Sequence, residues 1–457
     1  MFSTSIPAFD ETDVVFDVRN SSRIISLNRP KKLNSLNHSM TSKIIPRLLE
    51  YGHSAAASTV IIDTKSPKAF CAGGDVVACA TANAAGDFAS TTGFFQNEYY
   101  LNYLLATFNK PIIAYMNGIT MGGGVGLSAH VPFRIATEKT MFAMPEMDIG
   151  LFPDVGTTFF LPRMDGKLGY YLAMTGDRLN GFDNLAAGTA THYVPSAQLE
   201  RLTQRLTQLE HNKATFNKPE EFFQVVNQAI EDFAEPIPAD YQFVYTNEQR
   251  DLIDRAFSQA TFDDVLAYLI EDGSEFAQTT LQKLQTKSPL SLKVTFEMLN
   301  KGAVSTIHKT LQRELQAGEN FMMDSDFTEG VTAKLINKTT PHWKHASVAD
   351  VTAAEVARFF TKPENSIVNK DSLPLYENRD FDQYPYNMGL PTEIEIQKYI
   401  NGSDGSGRKY LPTPKEVKTK FLNHYRNKAG VAWKVDNVLA RKCVPSQENQ
   451  EYVQWKL

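Results

Sequence analysis

Thr120-Met121-Gly122-Gly123-Gly124-Val125-Gly126-Leu127-Ser128-Ala129-His130 follows the strand-like run Pro111-Ile112-Ile113-Ala114-Tyr115 and sets bare peptide N–H donors at the mouth of a short helix. Such donors hold an oxygen that gains negative charge, and glycine suits the position because a side chain would block close approach and restrict φ. A second turn of the same kind, Phe70-Cys71-Ala72-Gly73-Gly74-Asp75, stands upstream, again after a β-branched run, Thr59-Val60-Ile61-Ile62-Asp63. The amides of Gly74 and Gly123 can then grip one oxygen from two sides. In acyl chemistry the loss of one preorganised donor costs about 2.7 to 4 kcal/mol of transition-state stabilisation, so reaction at a carbonyl is the chemistry this pair suits.

Gly124-Val125-Gly126-Leu127-Ser128-Ala129 also satisfies the GxGxxG/A spacing of a dinucleotide loop. Against that reading, Val131-Pro132-Phe133-Arg134-Ile135-Ala136 returns as a strand after only a short helix, too little for an ordinary nucleotide-binding crossover, and no second nucleotide motif accompanies it. Further along, Glu146 follows Pro145 and Asp154 follows Pro153. Proline interrupts helix, so both acids sit on turn backbone among apolar residues. Taken alone, either acid reads as a turn or cap residue. Beside two oxyanion-type loops they read as working carboxylates, because partial desolvation raises basicity and fits an acid for general-base or nucleophilic work. Glu98 falls on the apolar stripe of a helical stretch that includes Phe94, Leu101, Leu105 and Phe108, where a charge is costly without a partner.

The 457 residues, 42% hydrophobic and 21% charged, have the composition of a folded globular chain, and a net charge of −6 argues against one dominated by nucleic-acid binding. Cys71, Cys79 and Cys443 form neither a CxxC pair nor an even framework, so a reduced compartment is expected, without disulfide or zinc scaffold. No apolar run reaches the roughly 18 to 20 residues that span a bilayer. The first thirteen residues carry Asp10, Glu11 and Asp13 but no Lys or Arg, which does not read as an import presequence.

Strand candidates at Arg23 to Asn28, Thr59 to Asp63, Ile112 to Tyr115, Phe133 to Ala136 and Met141 to Ala143 alternate with helical stretches and glycine turns, an α/β organisation. The expected units are 1–195, an α/β core with the active site; 196–362, a helical lobe; and 363–457, a linker followed by a basic, aromatic-containing extension. After Gly407, Arg408, Lys409, Lys415, Lys418, Lys420, Arg426, Lys428, Lys434, Arg441, Lys442 and Lys456 face only Glu416, Asp436, Glu448 and Glu451, with Tyr410, Phe421, Tyr425, Trp433, Tyr452 and Trp455 interleaved. This pattern suits RNA or an acidic protein surface as a partner, or a solvated appendage that packs on its own chain or on a sister subunit.

Together these stretches resemble the crotonase (enoyl-CoA hydratase/isomerase) superfamily and, within it, the 3-hydroxyisobutyryl-CoA hydrolases. The carriers are Leu27-Asn28-Arg29-Pro30-Lys31-Lys32-Leu33-Asn34-Ser35-Leu36, the two glycine turns, the Glu146 segment, Phe152-Pro153-Asp154-Val155-Gly156 and Phe327-Thr328-Glu329-Gly330-Val331. The resemblance implies a spiral of ββα units with a helical C-terminal lobe, an acyl-CoA bound in bent form, and its thioester oxygen between the amides of Gly74 and Gly123. It implies that Glu146 attacks the thioester carbonyl or activates a water for that attack, that Asp154 orients the substrate 3-hydroxyl or the water, and that Glu98 is a substrate-site acid. Arg29, Lys31 and Ala72, with Lys32, stand where the superfamily places CoA contacts. Hydratases of the superfamily use two glutamates; here the first of those positions is Gly126 and only Glu146 remains. Water addition across a double bond then lacks half of its acid/base machinery, whereas thioester hydrolysis does not.

The activity this resemblance implies is hydrolysis of 3-hydroxyisobutyryl-CoA to 3-hydroxyisobutyrate and CoA, a mitochondrial step of valine breakdown, with enoyl-CoA hydratase/isomerase chemistry as the alternative. No metal and no cofactor beyond the CoA of the substrate is expected, and His130, His192, His342 and His345 show no ligand spacing. No membrane or DNA partner is expected. Fungal relatives also serve as components of the mitochondrial small ribosomal subunit, so a ribosomal role through the basic tail, with or without hydrolysis, is the second expectation.

Overall fold

The computed structural model describes residues 9–211, 216, 218–364, 366–368 and 372–456. Its strands are β1 (Val14–Arg19), β2 (Ser22–Leu27), β3 (Thr59–Thr64), β4 (Ala69–Cys71), β5 (Ile112–Met116), β6 (Ile119–Met121), β7 (Phe133–Ala136), β8 (Met141–Ala143), β9 (Leu179–Asn180) and β10 (His192–Tyr193). The near-continuous apolar runs of β2, β3 and β5 are those of parallel strands covered on both faces, and every residue of β2 and β5 is buried.

One sheet has the order β1-β2-β3-β5-β7-β10 and another the order β4-β6-β8-β9. In the larger sheet β2, β3, β5, β7 and β10 are parallel, in register through pairs such as Ile61↔Ile113 and Ile113↔Phe133, and β1 caps the edge antiparallel. The pairs β3/β4, β5/β6 and β7/β8 each give one strand to the larger sheet and the next to the smaller, so the chain climbs as the expected crotonase-like spiral. β4 and β6 are not among the strand candidates: at three residues each they show no period of their own, and both run directly into glycine turns, whereas the equally short β8 is among them.

This winding creates the site. β4, β6 and β8 are parallel neighbours, so their C-terminal ends open on one side at the roughly 5 Å spacing of paired strands. From those ends emerge Gly73 and Gly74, then Gly122 and Gly123, then Pro145 and Glu146. The helix Phe88–Thr107 passes beside them and starts six residues earlier than the apolar stripe suggested, capped by Asp87, whose side chain accepts from Ser90 N. It packs against the helix Ile307–Met323 of the helical lobe. That lobe shares one apolar core with the α/β part, through Phe159, Leu311 and Phe327 among others, so the change near residue 195 is one of secondary structure within a continuous core.

The segment after Pro363 is not a free linker, and the tail packs on its own chain, one of the readings its composition allowed. Leu373 and Tyr376 are buried in the main core, with Phe381 and Tyr384 packed against it. Beyond them the helices Glu393–Ile400, Pro414–His424 and Val431–Lys442 and the hairpin of β11 (Cys443–Pro445) and β12 (Val453–Trp455) build an apolar cluster with Ala136, Leu185 and Ala190 of the body. Much of the basic charge of the tail is neutralised internally. Lys428 pairs with Glu231 at 2.6 Å, Lys442 with Asp254 at 2.7 Å and Arg441 with Asp254 at 3.2 Å, while Lys434 meets Asp165 and Arg441 also meets Glu393. The charge asymmetry between tail and body is thus largely the signature of their mutual docking. Lys409, Lys415, Lys420 and Arg426 remain exposed, as does Tyr410.

Candidate active site

A cavity of about 420 Å³ is lined by Ala72, Gly74, Gly123, Glu98, Glu146 and Asp154 together with Lys334 and Leu335. Leu36 N donates to Gly73 O and Asp75 N to Leu36 O, both at 2.8 Å, which fastens the peptides on either side of Gly74. Gly123 opens the four-residue helical turn Gly123–Gly126, where the first amides have no preceding carbonyl within the helix. Among the described residues neither the Gly74 nor the Gly123 amide finds an acceptor, and both border the cavity. Gly122 has φ +48°, and a Cβ there would stand 2.8 Å from Glu146 Oε1. A Cβ on Gly123 would collide with Glu98 Oε1. The two glutamates therefore flank the glycine backbone that carries the donor.

Glu98, Glu146 and Asp154 are 1%, 6% and 4% exposed, so none is a surface acid. Burial pushes the Glu98 carboxyl well above its usual range, and the nearby Asp154 charge adds to that. The same two causes, in the same order, raise Glu146 well above its usual value. Burial lifts Asp154 to about 6, held back by the hydrogen bond that Tyr99 Oη donates to Asp154 Oδ2 at 2.7 Å. A neutral Glu98 beside Gly123 leaves an oxyanion unopposed, whereas a charged one would repel it.

The basic residues expected to contact CoA lie outside this cavity. Arg29 bonds Asp75 Oδ2 at 3.1 Å and Ser35 O at 2.5 Å, bracing the turn behind Gly74, and does not line the cavity. Lys31 and Lys32 are exposed on the turn Pro30–Lys32 outside it. Ala72 does line it, with its own N–H donated to Leu33 O at 3.0 Å. Tyr99 was not legible as a site residue, because its contact with Asp154 spans 55 residues. Lys334 was also missed; it lies in the π-helix Thr332–Asn337, just after the singled-out Phe327 to Val331, and has no ion pair among the described residues. π-turns of this kind recur at functional sites. His130 and His192 are buried and hydrogen-bonded, as core histidines are.

Gly126 has a physical reason to be glycine. A Cβ there would stand 2.7 Å from both Asn102 Nδ2 and Val155 Cβ, so no larger side chain can project from it into the site.

The sequence profile of the enoyl-CoA hydratase/isomerase family matches residues 22–360. The chain is 41% identical to a Neurospora crassa protein named small ribosomal subunit protein mS47, over 97% of this chain and 88% of that one. It is 42% identical to the mitochondrial 3-hydroxyisobutyryl-CoA hydrolase of Danio rerio, over 77% of this chain and 90% of that one. Among solved structures, a carnitinyl-CoA dehydratase from Mycobacterium thermoresistibile superposes with a TM-score of 0.69 at 33% identity, covering 79% of this chain and 99% of the other. With the spiral, the paired glycine amides and these likenesses together, the chain belongs to the enoyl-CoA hydratase/isomerase family.

Proposed function

We propose that the chain is an acyl-CoA thioester hydrolase whose substrate is 3-hydroxyisobutyryl-CoA, cleaved by water to 3-hydroxyisobutyrate and CoA in mitochondrial valine breakdown. The observation that carries this reading is the pairing of two free amides with Glu146 in a site where Gly126 has no room for a second glutamate. The thioester oxygen accepts from Gly74 and Gly123, whose N–H groups are worth most as the oxygen becomes an anion. Glu146, in its ionised form, either attacks the carbonyl carbon, expelling the CoA thiolate and forming an acyl anhydride that water then hydrolyses to free the carboxylate, or takes a proton from a water that attacks the carbon; in both routes the C–S bond breaks and a proton from the water ends on the CoA sulfur. Asp154, oriented by Tyr99, accepts from the 3-hydroxyl of the acyl group or from the water. Glu98, whose neutral form burial favours, stands beside the Gly123 backbone, and Lys334 in the cavity lining offers charge to the phosphate-rich part of CoA. The name of the Danio rerio relative agrees with the substrate and with the mitochondrial compartment.

The test follows thiol release from 3-hydroxyisobutyryl-CoA by the purified chain. Glu146→Gln is expected to lower kcat by about three orders of magnitude, in the range seen when an acid/base or nucleophilic group is removed. Wild-type turnover in Glu146→Gln would remove the mechanism, and substantial hydration of crotonyl-CoA would move the chain to hydratase chemistry.

A second reading, as a component of the mitochondrial small ribosomal subunit, is favoured by one observation: the likeness to the Neurospora crassa protein extends over 97% of the chain, the C-terminal region included. The contacts would fall to the cations left exposed on the docked tail. Reversing Lys409, Lys415, Lys420 and Arg426 together is expected to abolish co-sedimentation with mitochondrial small subunits. Unchanged sedimentation would exclude attachment through this face.

A further inference from the structure

The turn that presents Asp154 is held in a conformation its residues would not choose. Val155 has φ +55° and Gly156 φ +80°. Glycine enters this left-handed region freely, whereas a β-branched residue does so rarely and under strain. The Asp154 carbonyl accepts from Thr157 N at 2.9 Å and from Thr157 Oγ1 at 2.7 Å, so the turn is closed on itself in addition.

Two buried groups outside the cavity grip it from opposite sides. His130 Nε2 donates to Val155 O at 2.8 Å, which leaves Nδ1 to accept from Tyr384 Oη at 2.7 Å. The Tyr384 ring stacks on His130 and meets Phe159 edge-on, which fixes both rings. Burial lowers the His130 pKa to about 4, so this donor and acceptor pattern holds at neutral pH. Across the turn, Glu314 accepts from Gly156 N at 2.6 Å, Thr158 N at 3.1 Å and Thr158 Oγ1 at 2.5 Å. His130 and Glu314 are 2% and 0% exposed, and neither lines the cavity. A strained turn persists only where its surroundings over-determine it, and here it carries a carboxylate of the site.

On the hydrolase reading, we propose that Glu314 and the Tyr384–His130 pair are positioning residues that clamp the Asp154-Val155-Gly156 turn and so aim the Asp154 carboxylate into the cleft. Tyr384 lies beyond residue 363, so part of the chain that reads as linker in the sequence shapes the active site.

The test uses the full chain with Tyr384→Phe, which keeps the ring, and Glu314→Gln, which keeps shape but replaces an acceptor by a donor. Each is expected to lower kcat about tenfold while KM stays within about twofold, as misplacement of an aligned group does. Adding Val155→Gly is expected to restore most of kcat, because glycine holds φ +55° without a clamp. Hydrogen exchange of the peptide 152–160, followed by mass spectrometry, is expected to speed up in both single variants. Wild-type kcat and wild-type exchange in both would overturn the clamp, and so would a loss of kcat that Val155→Gly leaves unrepaired, the mark of a merely structural role. A wild-type chain without thioesterase activity would instead defeat the hydrolase reading, and the exchange measurement would then decide the clamp alone.

Discussion

Tyr99→Phe isolates one hydrogen bond in this site. The hydroxyl donates to Asp154 Oδ2 at 2.7 Å, while the ring packs against Phe95 at a centroid distance of 5.8 Å and would stay there. A hydrogen bond to an ionised group contributes about 1.5 to 3 kcal/mol, and one pKa unit corresponds to about 1.36 kcal/mol, so the loss amounts to roughly one to two units. Asp154, at about 6 with Tyr99 in place, would therefore titrate above neutrality without it. Because ionised Asp154 also raises Glu146, the two carboxyls titrate together, and the measured quantity is the acid limb of kcat/KM. In Tyr99→Phe that limb is expected to move upward by roughly one to two pH units. Near neutral pH, kcat/KM would fall about two- to tenfold, with most of it recovered at alkaline pH. Initial rates of thiol release across the pH range measure this directly. An acid limb that stays in place, or moves down, would show that Asp154 is not held in its ionised form by Tyr99.

Gly126→Ala forces a Cβ to within 2.7 Å of Asn102 Nδ2 and Val155 Cβ, and overpacking of this kind costs about 1 to 3 kcal/mol, read as a lower midpoint in denaturant. Arg441→Met removes the fully buried cation shared by Asp254 and Glu393, which keep Lys442 and Arg250 as partners; the cost is expected to stay below the about 3 to 5 kcal/mol of an uncompensated buried charge, and an unchanged melting temperature would remove the docking role of that residue. Burial raises Asp154 to about 6, Glu314 to about 8, and Glu98 and Glu146 well above their usual values, so the folded chain binds protons more tightly than the unfolded one. That contribution to stability is complete below the unfolded carboxylate pKa and is lost as pH rises through the raised values. Buried His130 and His192, lowered to about 4, bind protons more weakly than in the unfolded chain and oppose this up to about pH 6.5, so the melting temperature is expected to fall from about pH 7 upward, and a rising profile there would contradict burial of the carboxyls as the cause.

Gly74, Gly123, Glu146 and Asp154 could be found in the sequence because each sits in a short stretch whose glycines or prolines dictate its backbone. Glu98 was betrayed by its place on an apolar stripe. What the sequence could not supply were the partners. Glu314 reaches Gly156 across 158 residues and Tyr384 reaches His130 across 254, and no local pattern encodes such contacts. The tail is the instructive case: its excess of cations was plain, but Asp165, Asp254 and Glu231, which absorb much of it, lie in segments of ordinary composition. A count of charges cannot tell an internal partner from an external one. Arg29 shows the same limit, since its place at a strand end gave no hint of its pairing with Asp75, 46 residues away.

The loop 401–407 is largely exposed, and Gly402, Gly405 and Gly407 all take positive φ, which makes it the natural place for a protease to nick the chain. Yet Val417, Val431, Val435 and Val438 are fully sealed against the rest, and Lys434 and Arg441 reach their carboxylates with side chains 5% and 0% exposed. A single cut there would give two fragments that travel as one particle in native buffer and separate only in denaturant. The end of this polypeptide behaves as a stopper seated in its own molecule, and what releases it is unfolding rather than scission.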